Sequence, residues 1–359
     1  MRKTPLATAT PHATRVAATL LIALSGHGLA LAALPDGEVV PAGEAAATAE
    51  VVAGIRAMVQ SGFDANGHAF RDAHRKAHGC VIATFTVPGQ LPPQLAQGLF
   101  ATPRAYNAVI RFSNGSGQSQ NDRTGDGRGM AIKLMGVGGT KLLQDEASAG
   151  TQDFLLMNHP VFFVRNAVDY VGFQKSLTAG GLPAASWLLG HAFHETATLL
   201  AIASKKVTNP LQPQYWSVTP SKLGTQQVKF SAKPCAGSTF YNQSDSMDRL
   251  RENLEGQLAT GGACFDFMAQ TRSDPARMPI EDPTIEWSEK KSPFVPVARI
   301  QIPAQTPEQG EACEIRSYTP WHSIEAHRPL GGIQRVRKEV YLEISKLRHA
   351  LNGQPRIEP

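Results

Sequence analysis

The sequence predicts an α+β fold: an antiparallel eight-stranded β-barrel with surrounding helices. Three observations carry this. Eight short runs are rich in β-branched and aromatic residues, Gly, Pro, Asn and Ser punctuate the chain between them, and helical periodicity occupies the larger gaps. The runs are residues 80–87, 108–112, 130–134, 153–156, 215–218, 227–233, 263–270 and 297–302. The first, from Cys80 to Val87, stops at Pro88-Gly89, a turn signal. So many short runs, with turn signals between them, favour a barrel over a doubly wound parallel sheet. Helical patterns cover residues 45–59, 167–178, 182–204, 244–260 and 332–351. In the last of these, Ile333, Val336, Val340, Ile344, Leu347 and Leu351 recur at steps of three and four, the mark of an amphipathic helix.

The chain of 359 residues, 42% hydrophobic, is long enough to build one large core around an enclosed ligand. Residues 1–32 differ from the rest. Arg2, Lys3 and Arg15 precede an apolar run from Val16 to Ala33, and Ala30-Leu31-Ala32 forms a small-residue cleavage site, the pattern of a secretory signal peptide. A membrane anchor is the competing interpretation, but Ser25, Gly26, His27 and Gly28 interrupt a run already short for a bilayer. The expected organisation is therefore a signal peptide over 1–32, an N-terminal arm over 33–70 and one domain over 71–359. Export, with the periplasm as the expected location, follows from the signal, and no membrane span is expected after cleavage. Loss of the three leader cations takes the formal net charge from +5 to +2, so the charge does not point to a nucleic-acid surface. Cys80, Cys235, Cys264 and Cys313 show no CxxC spacing and permit three complete disulfide pairings, among which sequence does not choose.

Chemistry concentrates in five segments. On the last helix Arg337, Tyr341 and Arg348 fall at i, i+4 and i+11, nearly one stripe. Cationic neighbours favour a phenolate, an anionic oxygen suited to ferric iron. An RxxxY pattern alone is more often an ordinary packed tyrosine with two solvated arginines. Ahead of the first strand stands Arg71-Asp-Ala-His74-Arg-Lys-Ala-His78. His74 and His78 are four apart, but Arg75 holds the place that zinc chemistry of the HExxH type gives to glutamate. The other three segments are Ile110-Arg111-Phe112-Ser113-Asn114, Asp126-Gly127-Arg128-Gly129-Met130-Ala131-Ile132-Lys133, and Met157-Asn158-His159-Pro160-Val161-Phe162-Phe163. The glycines of the second precede a strand rather than a helix, so no helix N-terminus is available there to hold phosphate.

In this order the five segments resemble the haem catalase superfamily, with its RxxHxK, IRFS, DxRGxAIK, NxPxFF and RxxxY motifs, over residues from Arg71 to Leu351. The strand from Pro293 to Pro303 is also similar to the one that family places before its ligand helix. The resemblance implies haem b, ligated axially by Tyr341 with Arg337 keeping it anionic. It makes His74 the distal acid and base that forms a ferryl intermediate from peroxide. Ser113 would orient His74, Arg71, Arg111 and Arg348 would face the haem propionates, and Phe162 would line the pocket. The implied partners are a peroxide and a small reductant, and a homo-oligomer is left open.

The chain departs from the pattern twice. Met157 takes the place of the distal asparagine in an ungapped reading, and Asn158, the expected catalytic amide, follows one residue later. The chain also stops at Pro359, soon after the ligand helix, which makes the likeness one to the short catalase-like peroxidases without the C-terminal helical domain. A haem peroxidase with some catalase activity, acting on hydrogen peroxide or organic hydroperoxides, is the expected function. A fatty-acid hydroperoxide lyase or isomerase of the allene oxide synthase type is the alternative, weakened because Ala73 stands where those enzymes carry threonine. A haem-binding protein without turnover is the third.

Overall fold

The computed structural model describes Met1, residues 35–191 and residues 194–356. The chain divides into two units, Met1–Leu31 and Ala32–Pro359, and the elements that follow all belong to the second. The expected signal peptide lies, apart from Met1, outside the described residues. Among the described residues no helix is long and apolar enough to cross a membrane.

Long antiparallel pairings build the sheet. β1 (Ala77–Val87), β2 (Arg104–Asn114), β3 (Arg128–Met135) and β4 (Thr151–Met157) follow one another as neighbours. β5 (Tyr215–Trp216) joins β4 to β7 (Gln226–Pro234), which continues through β8 (Ala263–Thr271) to β9 (Val295–Ile302). β9 pairs with β1, Phe85 opposite Ile300, and the ring of eight strands closes. A short β6 (Ser221–Leu223) extends β7 outside the ring. The eight-stranded barrel read from the sequence is therefore observed.

Alternation along each strand decides what fills the barrel. On β2, Ile110 and Phe112 enter the core while Arg111 and Ser113 project to the other face, where the site lies. Phe85, Phe100, Phe154, Phe230 and Phe267 pack inside, with ring centroids 4.9 Å apart for Phe154 and Phe267 and 5.1 Å for Phe85 and Phe267.

Helices cover the outer face beside β2 and β3. α1 (Glu44–Asn66) buries Val51, Ile55 and Val59 against Val336, Val340 and Ile344 of α7 (Gly332–Leu351). The predicted periodicity of α7 is thus its packing face. The predicted helix over 182–204 is instead two, α3 (Gly181–Gly190) and α4 (Glu195–Ala203), following α2 (Ala167–Ala179). The first of them ends at Gly190, a poor residue for a helix interior. The helix predicted to begin at 244 begins at Arg249 as α5 (Arg249–Thr260). The Ser244 and Ser246 hydroxyls accept from the backbone N–H groups of Ser246 and Asp248, a local pattern that competes with helix. The fifth predicted strand stops at Trp216, because Val218 adopts a left-handed φ of 58°. A five-residue helix, α6 (Gly310–Glu314), stands where the sequence predicts no element. The four cysteines pair as Cys80–Cys313 and Cys235–Cys264, each with Cα atoms 5.4 Å apart.

Candidate active site

A cavity of about 510 Å³ lies between the outer face of β2, β3 and β4 and the helices α1, α2, α4 and α7. Arg71, His74, Arg111, Ser113, Phe162, Arg337, Tyr341 and Arg348 all line it. These come from segments as far apart in sequence as Arg71 and Arg348, so the barrel wall and α7 bring together what the chain separates.

His74 approaches from the loop before β1. Its N–H donates to the Gly115 carbonyl at 3.1 Å, and its Nδ1 lies 3.1 Å from Ser113 Oγ. Its φ is 56°, the left-handed region that side chains rarely adopt, so neighbouring groups must hold it there. Its carbonyl accepts from Arg111 Nη2 at 2.8 Å. The ring sits deep in the protein while opening on the cavity. Burial, then the positive charges of Arg111 and Arg337, lower its pKa to about 4, so imidazole is neutral at physiological pH. His78 goes elsewhere: fully buried, it meets Asn114 Oδ1 at 3.0 Å through Nε2. The two histidines do not converge on a shared metal.

Gly129 of β3 makes room for the histidine. A Cβ there would stand 2.5 Å from His74 Nδ1 and 2.8 Å from Ser113 Oγ. The second glycine of the DxRG segment thus serves close approach to the imidazole, not a phosphate. Gly129→Ala is expected to fold with a loss of about 1–3 kcal/mol from overpacking, measurable by thermal unfolding. The same change should displace His74 from Ser113, so any reaction that depends on the imidazole slows even where the protein remains folded.

On the opposite side, α7 presents Tyr341. Arg337, one helical turn earlier and 8% exposed, donates from Nη2 to the phenol oxygen at 3.3 Å, its guanidinium carbon 5.3 Å from the ring centroid. Phe162 packs with Val218 and Ile333 in the apolar part of the wall, and Phe163 lies tilted beside it, ring centroids 4.4 Å apart.

One corner is cationic. Arg111 and Arg348 are buried, and Arg71 stands beside them. Arg348 is drawn below its ordinary pKa by burial and then by Arg71. Among the described residues the one carboxylate paired with any of the three is Glu314, 2.7 Å from Arg111 and 3.4 Å from Arg71. Burial alone would raise the Glu314 carboxyl, but Arg71 and Arg111 take it below the usual range. Asp72, also on the cavity wall, is pushed up by burial towards its neutral form. Arg111 and Arg71 therefore share one carboxylate, while Arg348 donates to the backbone carbonyl of the same residue at 2.8 Å. Glu314 follows Cys313 and carries no motif of its own; knowing the disulfide would have been the only pointer to it.

Asn158 is the expected site residue that the structure leaves out. It is buried away from the cavity, its Oδ1 accepting from the Arg128 backbone N–H at 2.7 Å and its own N–H donating to the Arg128 carbonyl at 2.9 Å. Met157, paired with Gly129 across β3 and β4, lines the cavity instead. Successive residues of an extended chain face opposite ways, so an amide one place late turns away from the cavity.

No protein-family model matches the chain, and no curated protein matches it in sequence. Solved structures do. A fungal catalase superposes with a TM-score of 0.64 at 16% identity, covering 83% of this chain and 63% of that one. A bacterial catalase gives 0.62 at 18% identity, covering 93% and 67%. The fold is catalase-like. Catalase A from Saccharomyces cerevisiae gives 0.56 at 16% identity, with 83% and 65% covered. The chain thus spans about two thirds of the length of these catalases. Within this catalase-like frame, the predicted site residues from Arg71 to Arg348 fall on one cavity, Asn158 excepted.

Proposed function

We propose that this protein is a haem-dependent oxidoreductase that consumes peroxides, an exported peroxidase with some catalase activity. The observation that carries the reading is the placement of Tyr341 with Arg337 across one cavity from His74 with Ser113.

The residues fit a haem. A phenol oxygen beside a guanidinium is a donor suited to ferric iron. The three arginines with their single carboxylate match a group that brings two more carboxylates, and Phe162, Val218 and Val336 supply apolar wall for its flat face. Tyr341 would hold the iron through its phenol oxygen, and Arg71, Arg111 and Arg348 would receive the propionates. When bound, the haem would supply the iron that takes up electrons from a small reductant and delivers them to peroxide.

The chain's own part is proton handling. Ser113 occupies His74 Nδ1, which leaves Nε2 to take the proton from the near oxygen of the peroxide and return it to the departing one, releasing water or an alcohol. With two electrons and two protons supplied, the peroxide O–O bond is reduced. Met157 offers no hydrogen-bond donor where the resemblance implies an asparagine, which favours donor oxidation over efficient disproportionation. Leu199 and Ile202 of α4, with Phe173 and Leu177 of α2, make one wall apolar and favour organic hydroperoxides. The same wall supports a second reading, rearrangement of fatty-acid hydroperoxides, which needs no reductant.

The test is to load the purified protein with haem and follow oxygen release from hydrogen peroxide beside donor oxidation with an organic hydroperoxide. Donor oxidation should dominate. Oxygen release without it would replace the reading with catalase, and donor-independent loss of organic hydroperoxide would replace it with the rearrangement.

The pH dependence has a sign. Because the folded pKa of His74 is about 4, below an unfolded value near 6.5, its base form persists through mild acid. Activity should hold from neutrality to about pH 5 and fall by half near pH 4. The unfolded chain binds the proton more tightly, so stability should decline as pH drops from about 6.5 towards 4. An activity midpoint near 6.5 would show an imidazole that burial and the arginines do not perturb.

A further inference from the structure

The cationic corner and the histidine are joined by one side chain. Arg111 gives Nε and Nη2 to Glu314 Oε1 at 3.1 and 2.7 Å, and the same Nη2 to the His74 carbonyl at 2.8 Å. The guanidinium is therefore aimed by the carboxylate, and it clamps the backbone of a residue in left-handed conformation. The other hold on that backbone is the N–H bond to Gly115.

What places Glu314 is covalent. It ends α6, a five-residue helix too short to fix itself. Its neighbour Cys313 is bonded to Cys80 of β1, and Cys80 is the cross-strand partner of Arg111 on β2. The disulfide thus carries the α6 terminus to the residue that Glu314 grips. Backbone bonds between Cys80 and Glu308, at 2.8 and 2.7 Å, secure the start of the same segment. The Glu314 carbonyl accepts from Arg348 at 2.8 Å and the Arg316 carbonyl from Arg71 at 2.7 Å, so the segment also fixes the other two arginines.

We infer that Glu314, pinned by the Cys80–Cys313 disulfide, is a positioning residue for His74 that acts through Arg111. The inference rests on the reading of His74 as the base for peroxide. A carboxylate serving only to neutralise the arginines would leave the His74 backbone indifferent to its removal.

The experiment is hydrogen exchange of the peptide covering residues 71–76, followed by mass spectrometry on the full chain without haem. In Glu314→Ala, and in the double variant Cys80→Ser with Cys313→Ser, exchange there should quicken by about tenfold or more, while the barrel strands keep their protection. Glu314→Gln retains an acceptor for Arg111 and should stay within about threefold of the parent. With haem loaded, Glu314→Ala should slow the reaction with peroxide and leave KM for the reductant unchanged. Parent-like protection at 71–76 in Glu314→Ala and the double variant overturns the inference. Loss of protection throughout all three variants overturns it too, since Glu314 would then serve general stability. Should His74→Ala react with peroxide as fast as the parent, the base assignment fails separately, and the exchange result still reports whether Glu314 holds the loop.

Discussion

His74→Ala is expected to slow the reaction of the haem-loaded protein with peroxide by about 10²- to 10⁴-fold, the span that general acid and base catalysis contributes. The structure argues for the upper part of that range. Among the described residues His74 is the one imidazole on the cavity wall: Ser113 and Met157 are poor bases, burial pushes the Asp72 carboxyl towards its neutral form, the Asp126 carboxylate is held by the Gly115 and Ser116 N–H groups, and Asn158 is turned to the Arg128 backbone. The substitution adds no bulk and leaves Arg337 and Tyr341 untouched, so haem uptake and its absorption spectrum should survive. Stopped-flow measurement of the bimolecular rate with peroxide reads the effect. Ser113→Ala should cost less, because the imidazole keeps its backbone clamps from Gly115 and Arg111 and loses only the partner at Nδ1. A rate unchanged in His74→Ala, with haem bound, would leave a haem-binding protein without this chemistry.

The reach of the sequence can be judged residue by residue. Barrel strands and α7 were legible because alternation and a step of three or four are direct consequences of backbone geometry. Tyr341, Arg337 and Arg348 were legible for the same reason, sharing a stripe whatever surrounds it. His74 and Ser113 needed order among segments, since nothing local in either marks a cavity. Glu314 was out of reach: it acts through Arg111, 203 residues away in sequence, and is placed by a disulfide that four cysteines leave undetermined. Asn158 shows the opposite limit. Its identity suggested a role, but one position along an extended chain decides which face it takes, and the pairing of Met157 with Gly129 turns the amide away. The broken helix at Gly190 and the late start of α5 at Arg249 are failures of boundary, where single glycine and serine residues outweigh the average pattern.

Tyr341→Phe should abolish the characteristic haem spectrum and weaken haem binding by more than the 10- to 100-fold that losing a mere supporting partner of a metal ligand costs. The reason lies in what remains. Phenylalanine keeps the ring that packs with Val340 and Ile344 in the α1 and α7 interface, so the fold should hold within about 1 kcal/mol, the scale of a single lost hydrogen bond. What disappears is the phenol oxygen that α7 presents to the cavity beside Arg337. The guanidinium would then face an apolar ring, with Thr219 Oγ1 at 3.3 Å and Gln334 Oε1 at 3.4 Å as its partners. Arg71, Arg111 and Arg348 would still attract a dianion, so some haem should associate weakly, but without the Tyr341 oxygen for the iron. Absorbance titration with haem separates the two contributions: the arginines set residual affinity, and Tyr341 sets the spectrum. Arg337→Gln should fall between, keeping the oxygen while removing the charge beside it. Haem retained by Tyr341→Phe with the parent's affinity and spectrum would place the iron ligand elsewhere in the chain.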